Sequence, residues 1–205
     1  MILFVSGATA TVSGYSPAYV GRLLTPASGN SASVTAASGQ MWAADNGCFS
    51  GLEPDAYIRM LDTISSEDKS RLVFVTVPDV VADHHVTRAM FRYWIPALKK
   101  RGLPAAFVAQ DGADIAGVPW TEIAALFVGG STRWKLGAQS ERLIKYAKAR
   151  GLWVHVGRVN TPERIRHCAA LGVDSIDGSQ FSRWSATHLP WAVRLLKQEH
   201  KYLWE

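Results

Sequence analysis

Seven short apolar runs rich in β-branched residues recur along this chain, at 2–6, 40–45, 72–79, 105–110, 124–129, 152–158 and 174–178. Each stops at Gly, Asp, Asn or Pro and is followed by a stretch with helical patterning. Strands covered on both faces read as continuous apolar runs, so this rhythm specifies a parallel sheet with crossover helices. The helices are expected at 54–64, 83–100, 138–150, 162–171 and 189–200. Thr161 can cap a helix whose first position is Pro162, and Gly172 supplies a left-handed stop, which makes one complete connection into the run at 174. Pro96 removes an amide donor inside the second helix and predicts a kink there.

The expected fold is α/β, a compact or incomplete (β/α)8 barrel of the TIM type, in preference to an open doubly wound sheet. Seven strands are visible; an eighth is sought in the Ser/Ala-rich stretch 30–37, which otherwise reads as a loop. With 205 residues, 48% of them hydrophobic, the chain is expected to make one catalytic domain.

No run is apolar enough to cross a bilayer, and the start at Met1 lacks the flank of a signal peptide, so a cytoplasmic protein is expected. Cys48 and Cys168 are too few for a disulfide framework or zinc knuckle and read as small core residues. His84 and His85 are adjacent and point apart on a helix start; surface or capping roles are expected, with no metal and no cofactor. The net charge of +5 and pI near 9.4 suit a polyanionic partner.

Polar residues gather at the C-terminal ends of the runs: Asp45 and Asn46, Asp79, Gln110 and Asp111, Gly129 and Gly130, Arg158, and Asp177. Any one of them could merely cap a helix or make a turn. A barrel, however, brings all of these ends to one face, where they would line a single pocket. Asp177 stands out because Ser175-Ile176-Asp177-Gly178 sets an acid within a strand among small neighbours, a costly burial without a partner or a task. His155 lies in a strand with no role assigned to it.

Five segments, in order, resemble the tRNA-guanine transglycosylase superfamily, and especially its shorter phage and bacterial branch that installs 7-deazaguanine derivatives in DNA. Ala44-Asp45-Asn46-Gly47-Cys48-Phe49 is similar to the segment carrying the family's general acid/base, and Val77-Pro78-Asp79 falls where the family keeps an Asp that reads the guanine edge. Val108-Ala109-Gln110-Asp111-Gly112 resembles the segment whose Gln touches the base, and Phe127-Val128-Gly129-Gly130-Ser131 the glycine loop whose amides face the heterocycle. Val156-Gly157-Arg158 and Gly172-Val173-Asp174-Ser175-Ile176-Asp177 resemble the nucleophile segment.

The resemblance, which spans 40–181, implies Asp177 as nucleophile, Asp45 as acid/base, and Asn46, Asp79, Gln110, Gly129 and Gly130 as contacts to the base. Asn46 stands where the family has Ser, and the family's Cys/His zinc site is missing, which points to DNA as partner with tRNA the lesser candidate. A 7-deazaguanine base such as 7-cyano-7-deazaguanine would be the second substrate, and a helper protein could supply DNA recognition. Arg133, Trp134, Lys135, Arg158, Arg183 and Trp184 are expected to hold phosphates and stack on bases. The competing readings are a tRNA-guanine transglycosylase, a nucleoside or glycoside hydrolase on the same barrel, and a nucleic-acid-binding protein without catalysis.

Overall fold

The computed structural model describes residues 1–7, 9–28 and 30–202. Eight parallel strands close into a barrel in sequence order: β1 (Ile2–Ser6), β2 (Val20–Leu24), β3 (Trp42–Ala44), β4 (Leu72–Thr76), β5 (Ala105–Ala109), β6 (Ala125–Val128), β7 (Trp153–Val156) and β8 (Ser175–Asp177). β8 closes the ring on β1, with Leu3 opposite Ile176 and Phe4 opposite Asp177. The fold is therefore a TIM-type (β/α)8 barrel.

Its covering helices are α1 (Thr9–Ser13), α2 (Ala32–Ala36), α3 (Pro54–Ser65), α4 (His84–Lys100), α5 (Thr132–Lys135), α6 (Ala138–Ala149), α7 (Pro162–Ala170), α8 (Ser179–Arg183) and α9 (Ser185–Tyr202). The barrel is compact because α1 and α2 are single turns and turns alone join β5 to β6. α4 runs on through Pro96, and α9 begins four residues before the expected start, at Ser185 rather than Leu189. α7 matches the reading of its ends: the Thr161 hydroxyl accepts from the Arg164 amide at 3.4 Å, and Gly172 has φ +70°.

The eighth strand is not in 30–37. That stretch holds α2, capped by the Ser31 hydroxyl, and the strand is Val20–Leu24. Its signature is disguised by Gly21 and Arg22. A β-carbon at Gly21 would sit 2.5 Å from Phe4 Cε1 and 2.6 Å from the Met41 carbonyl oxygen, so only glycine leaves room for the Phe4 ring. Arg22 points out of the barrel and is buried by bonds to Gln40 Oε1 (2.8 Å) and Ser13 Oγ (2.9 Å). A polar residue with local partners thus replaces an apolar one on the strand's outer face.

Period-two alternation sorts the strands, apart from the start of β4, where Leu72 lies in the outer core and Val73 packs on the inner one beside a register shift against β3. Leu3, Val5, Val75, Phe107, Leu126, Val154 and Ile176 pack outward against the helices. Ile2, Phe4, Leu23, Ala43, Phe74, Ala106, Val108, Ala125 and Phe127 form a separate inner core. Small alanines on β3, β5 and β6 leave space that Phe4, Phe74 and Phe127 fill, and these three rings surround His155, with centroids 5.9, 5.2 and 4.5 Å from the imidazole. Among the described residues, no helix is long and apolar enough to cross a membrane.

Candidate active site

One further step of the same alternation above the inner core gives the inward position at the C-terminal ends of β3 to β8: Asp45, Thr76, Gln110, Gly129, Gly157 and Asp177. Together with Asn46, Asp79, Gly130 and Arg158 from the following loops, all of these except Thr76 line one cavity of about 460 Å³, within the size range of small-ligand sites. Its floor is apolar, made by Phe4, Leu23, Val108 and Phe127, and its rim carries Phe49 and Arg183.

Asp177 is held at both oxygens. Oδ2 is 2.9 Å from His155 Nε2, and Oδ1 accepts from the Arg158 amide at 3.0 Å. Arg158 reaches this position with φ +59°, a left-handed conformation rare outside glycine, and that turn aims its N–H at the carboxylate. Burial alone would raise the Asp177 pKa. The hydrogen bond and field of His155, the Arg158 amide and the nearby Lys135 charge outweigh it and hold the group below the ordinary carboxylate range.

Asp45 differs in kind. Burial, reinforced by the charges of Asp177 and Asp79, pushes its pKa up to about 7, and hydrogen bonds from the Thr76 hydroxyl, at 3.1 Å, and the Asn46 backbone only partly oppose this. One pocket therefore contains an ionised carboxylate and another that is substantially protonated near neutrality. This is the arrangement by which two chemically identical side chains take nucleophile and acid roles.

A chain search against family models matches no family, and no curated protein matches in sequence. The site stands on its own geometry.

The wall opposite is a polar lattice of buried amides and Asp79. Asn46 Nδ2 donates to Asp79 Oδ1 at 2.9 Å and to the Val77 carbonyl at 3.0 Å, and Gln110 Nε2 donates to Asp79 Oδ2 at 2.6 Å. Burial raises the Asp79 pKa, with these two side-chain bonds opposing. Cys48 belongs to this wall rather than to the core: it is half-buried, its Sγ accepts from the Asp79 amide at 3.5 Å, and burial pushes its thiol up to about 12. Cys168 is buried in the core as expected.

Several roles drawn from the resemblance are corrected by the bonds actually made. The Gly129 amide donates to the Ala109 carbonyl and the Gly130 amide to Gln110 Oε1, both already committed rather than presented to a ligand. Gly129 is bare because a β-carbon would lie 2.7 Å from Gln110 Nε2; it makes room for the glutamine. Asp111 binds the Ser131 amide and hydroxyl, each at 2.6 Å, and so fastens two loops together.

The six residues expected on nucleic acid divide. Arg158 and Arg183 line the cavity, and the Arg158 guanidinium lies 4.6 Å from the Phe49 ring centroid, where it also donates to the Gly130 carbonyl. Arg133 is exposed on α5, and Trp184 is exposed at the end of α8; neither lines the cavity. Trp134 is half-buried beneath Gly130, its indole nitrogen buried without a partner. Lys135 is buried and donates to the Gly157 carbonyl, because the α5 turn directs it toward the end of β7. Burial and the Arg158 charge lower its pKa to about 8. Neither Trp134 nor Lys135 is displayed to a strand of nucleic acid.

His84 is buried against Phe107 rather than on the surface, and only His85 is exposed. Sequence reasoning left His155 without a role and missed Thr76 and Ser175. Counting back by twos from Gly157 and Asp177 would have placed His155 and Ser175 inside the barrel.

Proposed function

We propose that this protein is a DNA-guanine transglycosylase that exchanges guanine for a 7-deazaguanine through a covalent bond between Asp177 and the sugar. The observation that carries the reading is the convergence of Asp177, Asp45 and Asp79 on one cavity, with Asp177 held at both oxygens by His155 and the Arg158 amide and with burial raising the pKa of Asp45.

Cleaving an N-glycosidic bond builds positive charge on the sugar, which an ionised carboxylate can capture at C1′, as in retaining glycosidases. Asp177 forms the C1′–O bond as the base leaves with the electrons of the C–N bond. Asp45, protonated near neutrality, gives its proton to the departing guanine. The resulting Asp45 carboxylate then takes the ring N–H proton of the incoming base, whose nitrogen attacks C1′ and returns Asp177 to its ionised form.

Asp79 is an acceptor suited to the N1–H and exocyclic amine of guanine, donors that adenine does not offer in that pattern. Asn46 and Gln110 fix its two oxygens. The pocket lies at the barrel mouth, so a target nucleotide in a duplex would have to leave the stack. Arg158 and Arg183 on its rim are suited to phosphate. The family resemblance, without the Cys/His zinc site, favours DNA over tRNA.

The test incubates purified protein with guanine-containing DNA or tRNA and 7-cyano-7-deazaguanine, followed by mass spectrometry of the digested nucleosides, with Asp177→Asn alongside. Deazaguanosine in DNA only, and only with the unsubstituted protein, is the expected result. Incorporation into tRNA alone would overturn the choice of polymer, guanine release without replacement would indicate a hydrolase, and an unaltered yield with Asp177→Asn would refute the nucleophile.

A further inference from the structure

We infer that His155 is a positioning residue for Asp177, the middle of a one-way hydrogen-bond chain that rises through the barrel from Trp153 by way of Ser175. The inference rests on the proposed role of Asp177 as nucleophile.

Three distances define the chain: Trp153 Nε1 to Ser175 Oγ, 2.7 Å; Ser175 Oγ to His155 Nδ1, 2.9 Å; His155 Nε2 to Asp177 Oδ2, 2.9 Å. Its ends fix its direction. An indole N–H can only donate, and an ionised carboxylate can only accept. For a neutral imidazole the carboxylate requires the proton on Nε2, so bare Nδ1 accepts the Ser175 hydroxyl proton while Ser175 Oγ accepts from Trp153.

His155 and Ser175 are both 0% exposed, and the Phe4, Phe74 and Phe127 rings enclose the imidazole on the inner side. The ring can neither swing away nor exchange its bonds with water. This gives the nucleophile a fixed donor from below, while the Arg158 amide holds the other oxygen. One lone pair on each oxygen is committed, and the carboxylate plane is set before any sugar arrives. The other charged groups around Asp177 are Asp45 after β3, Lys135 from α5 and Arg158 after β7, with Arg183 on the rim.

The experiment compares His155→Phe, which fills the aromatic cage without a donor, with His155→Gln, whose amide can replace Nε2–H. The readouts are single-turnover formation of the protein–DNA adduct without incoming base, its pH profile, and the tautomer of His155 by 15N NMR of the unsubstituted protein. His155→Phe is expected to slow adduct formation roughly 10- to 100-fold and to move the acid limb to higher pH, because Asp177 loses a bond to its charged form. His155→Gln is expected to recover most of the rate. The Nε2–H tautomer is expected in the spectrum whether or not either variant folds.

A folded His155→Phe protein with the unsubstituted rate and acid limb would overturn the inference, as would an Nδ1–H tautomer. Asp177→Asn separates the two levels of the argument. An adduct that forms equally well with it defeats the proposed nucleophile, whereas an adduct dependent on Asp177 but indifferent to His155 defeats only this inference.

Discussion

Gln110 Nε2 donates a 2.6 Å hydrogen bond to Asp79 Oδ2 across the pocket wall, while Gln110 Oε1 accepts from the Gly130 and Ala82 amides at 2.8 Å each. Gln110 is thereby a bracket between β4, β5 and β6 that sets the Asp79 carboxylate. Asp79→Asn exchanges an acceptor for a donor and places two amide groups against each other. It is expected to lower kcat/KM for guanine exchange about 10- to 100-fold, as loss of a hydrogen bond to a charged group does, and to weaken discrimination against adenine. Exchange assays with both bases check this; an unaltered preference would remove Asp79 from base recognition.

The pH dependence follows from Asp45. Its carboxyl has a folded value of about 7, above the ordinary aspartate value of 3.8, so the folded protein holds the extra proton between these values. Stability from this group is complete below about 3.8 and falls as pH rises toward about 7. Asp45→Asn, which keeps an acceptor for Thr76 and cannot ionise, is therefore expected to raise Tm at pH 8 and to raise it less at pH 5, where part of that contribution is still present. Adduct formation by the unsubstituted protein is expected to decline above pH 7, as the acid is lost. Thermal melts and single-turnover rates at the two pH values test both statements.

Asp177 carries the opposite sign. Its folded pKa is depressed, so its contribution to stability is present above the ordinary carboxylate value and is lost as pH falls through the folded one. Asp177→Asn is expected to destabilise the protein at pH 7 and progressively less at acidic pH. Denaturant unfolding at pH 7 and pH 4 measures the difference, and a penalty that grows on acidification would contradict it.

Lys135 and Arg183 separate a structural cation from a binding one. Lys135→Met removes the donor to Gly157 and is expected to cost about 1–3 kcal/mol of stability. It should leave the salt dependence of DNA binding alone. Arg183→Ala is expected to reduce the slope of log Kd against log salt by about one, with little change in stability. Anisotropy titrations of a single-stranded oligonucleotide at several salt concentrations decide between them, and the reverse ranking would put Lys135 on the strand.

Gly21 has a steric rather than a conformational reason to be glycine, since its φ is not left-handed and its missing β-carbon is the space of the Phe4 ring. Gly21→Ala is expected to cost about 1–3 kcal/mol by overpacking. Chemical denaturation gives the value directly.

The sequence by itself determined the barrel and the ring of polar residues at its mouth. Strand periodicity is a short-range signal that a linear chain records: apolar runs such as 105–110 and 124–129, alternating with helical patterns, read as parallel strands covered on both faces, and in a barrel their C-terminal ends share one side. Asp45, Asp79, Gln110 and Asp177 were legible for that reason. β2 was not, because Gly21 and Arg22 answer to Phe4, Gln40 and Ser13, neighbours that exist only once the strands are assembled. The same holds for His155, a strand residue to which the sequence assigns no role and which bonds Asp177 once β7 and β8 pair, and for Lys135, a cation that the α5 turn carries into the interior. Ionisation was likewise decided by tertiary structure alone. Asp45 and Asp177 are the same side chain at equivalent strand ends; the partners that reach them through space set one high and the other low.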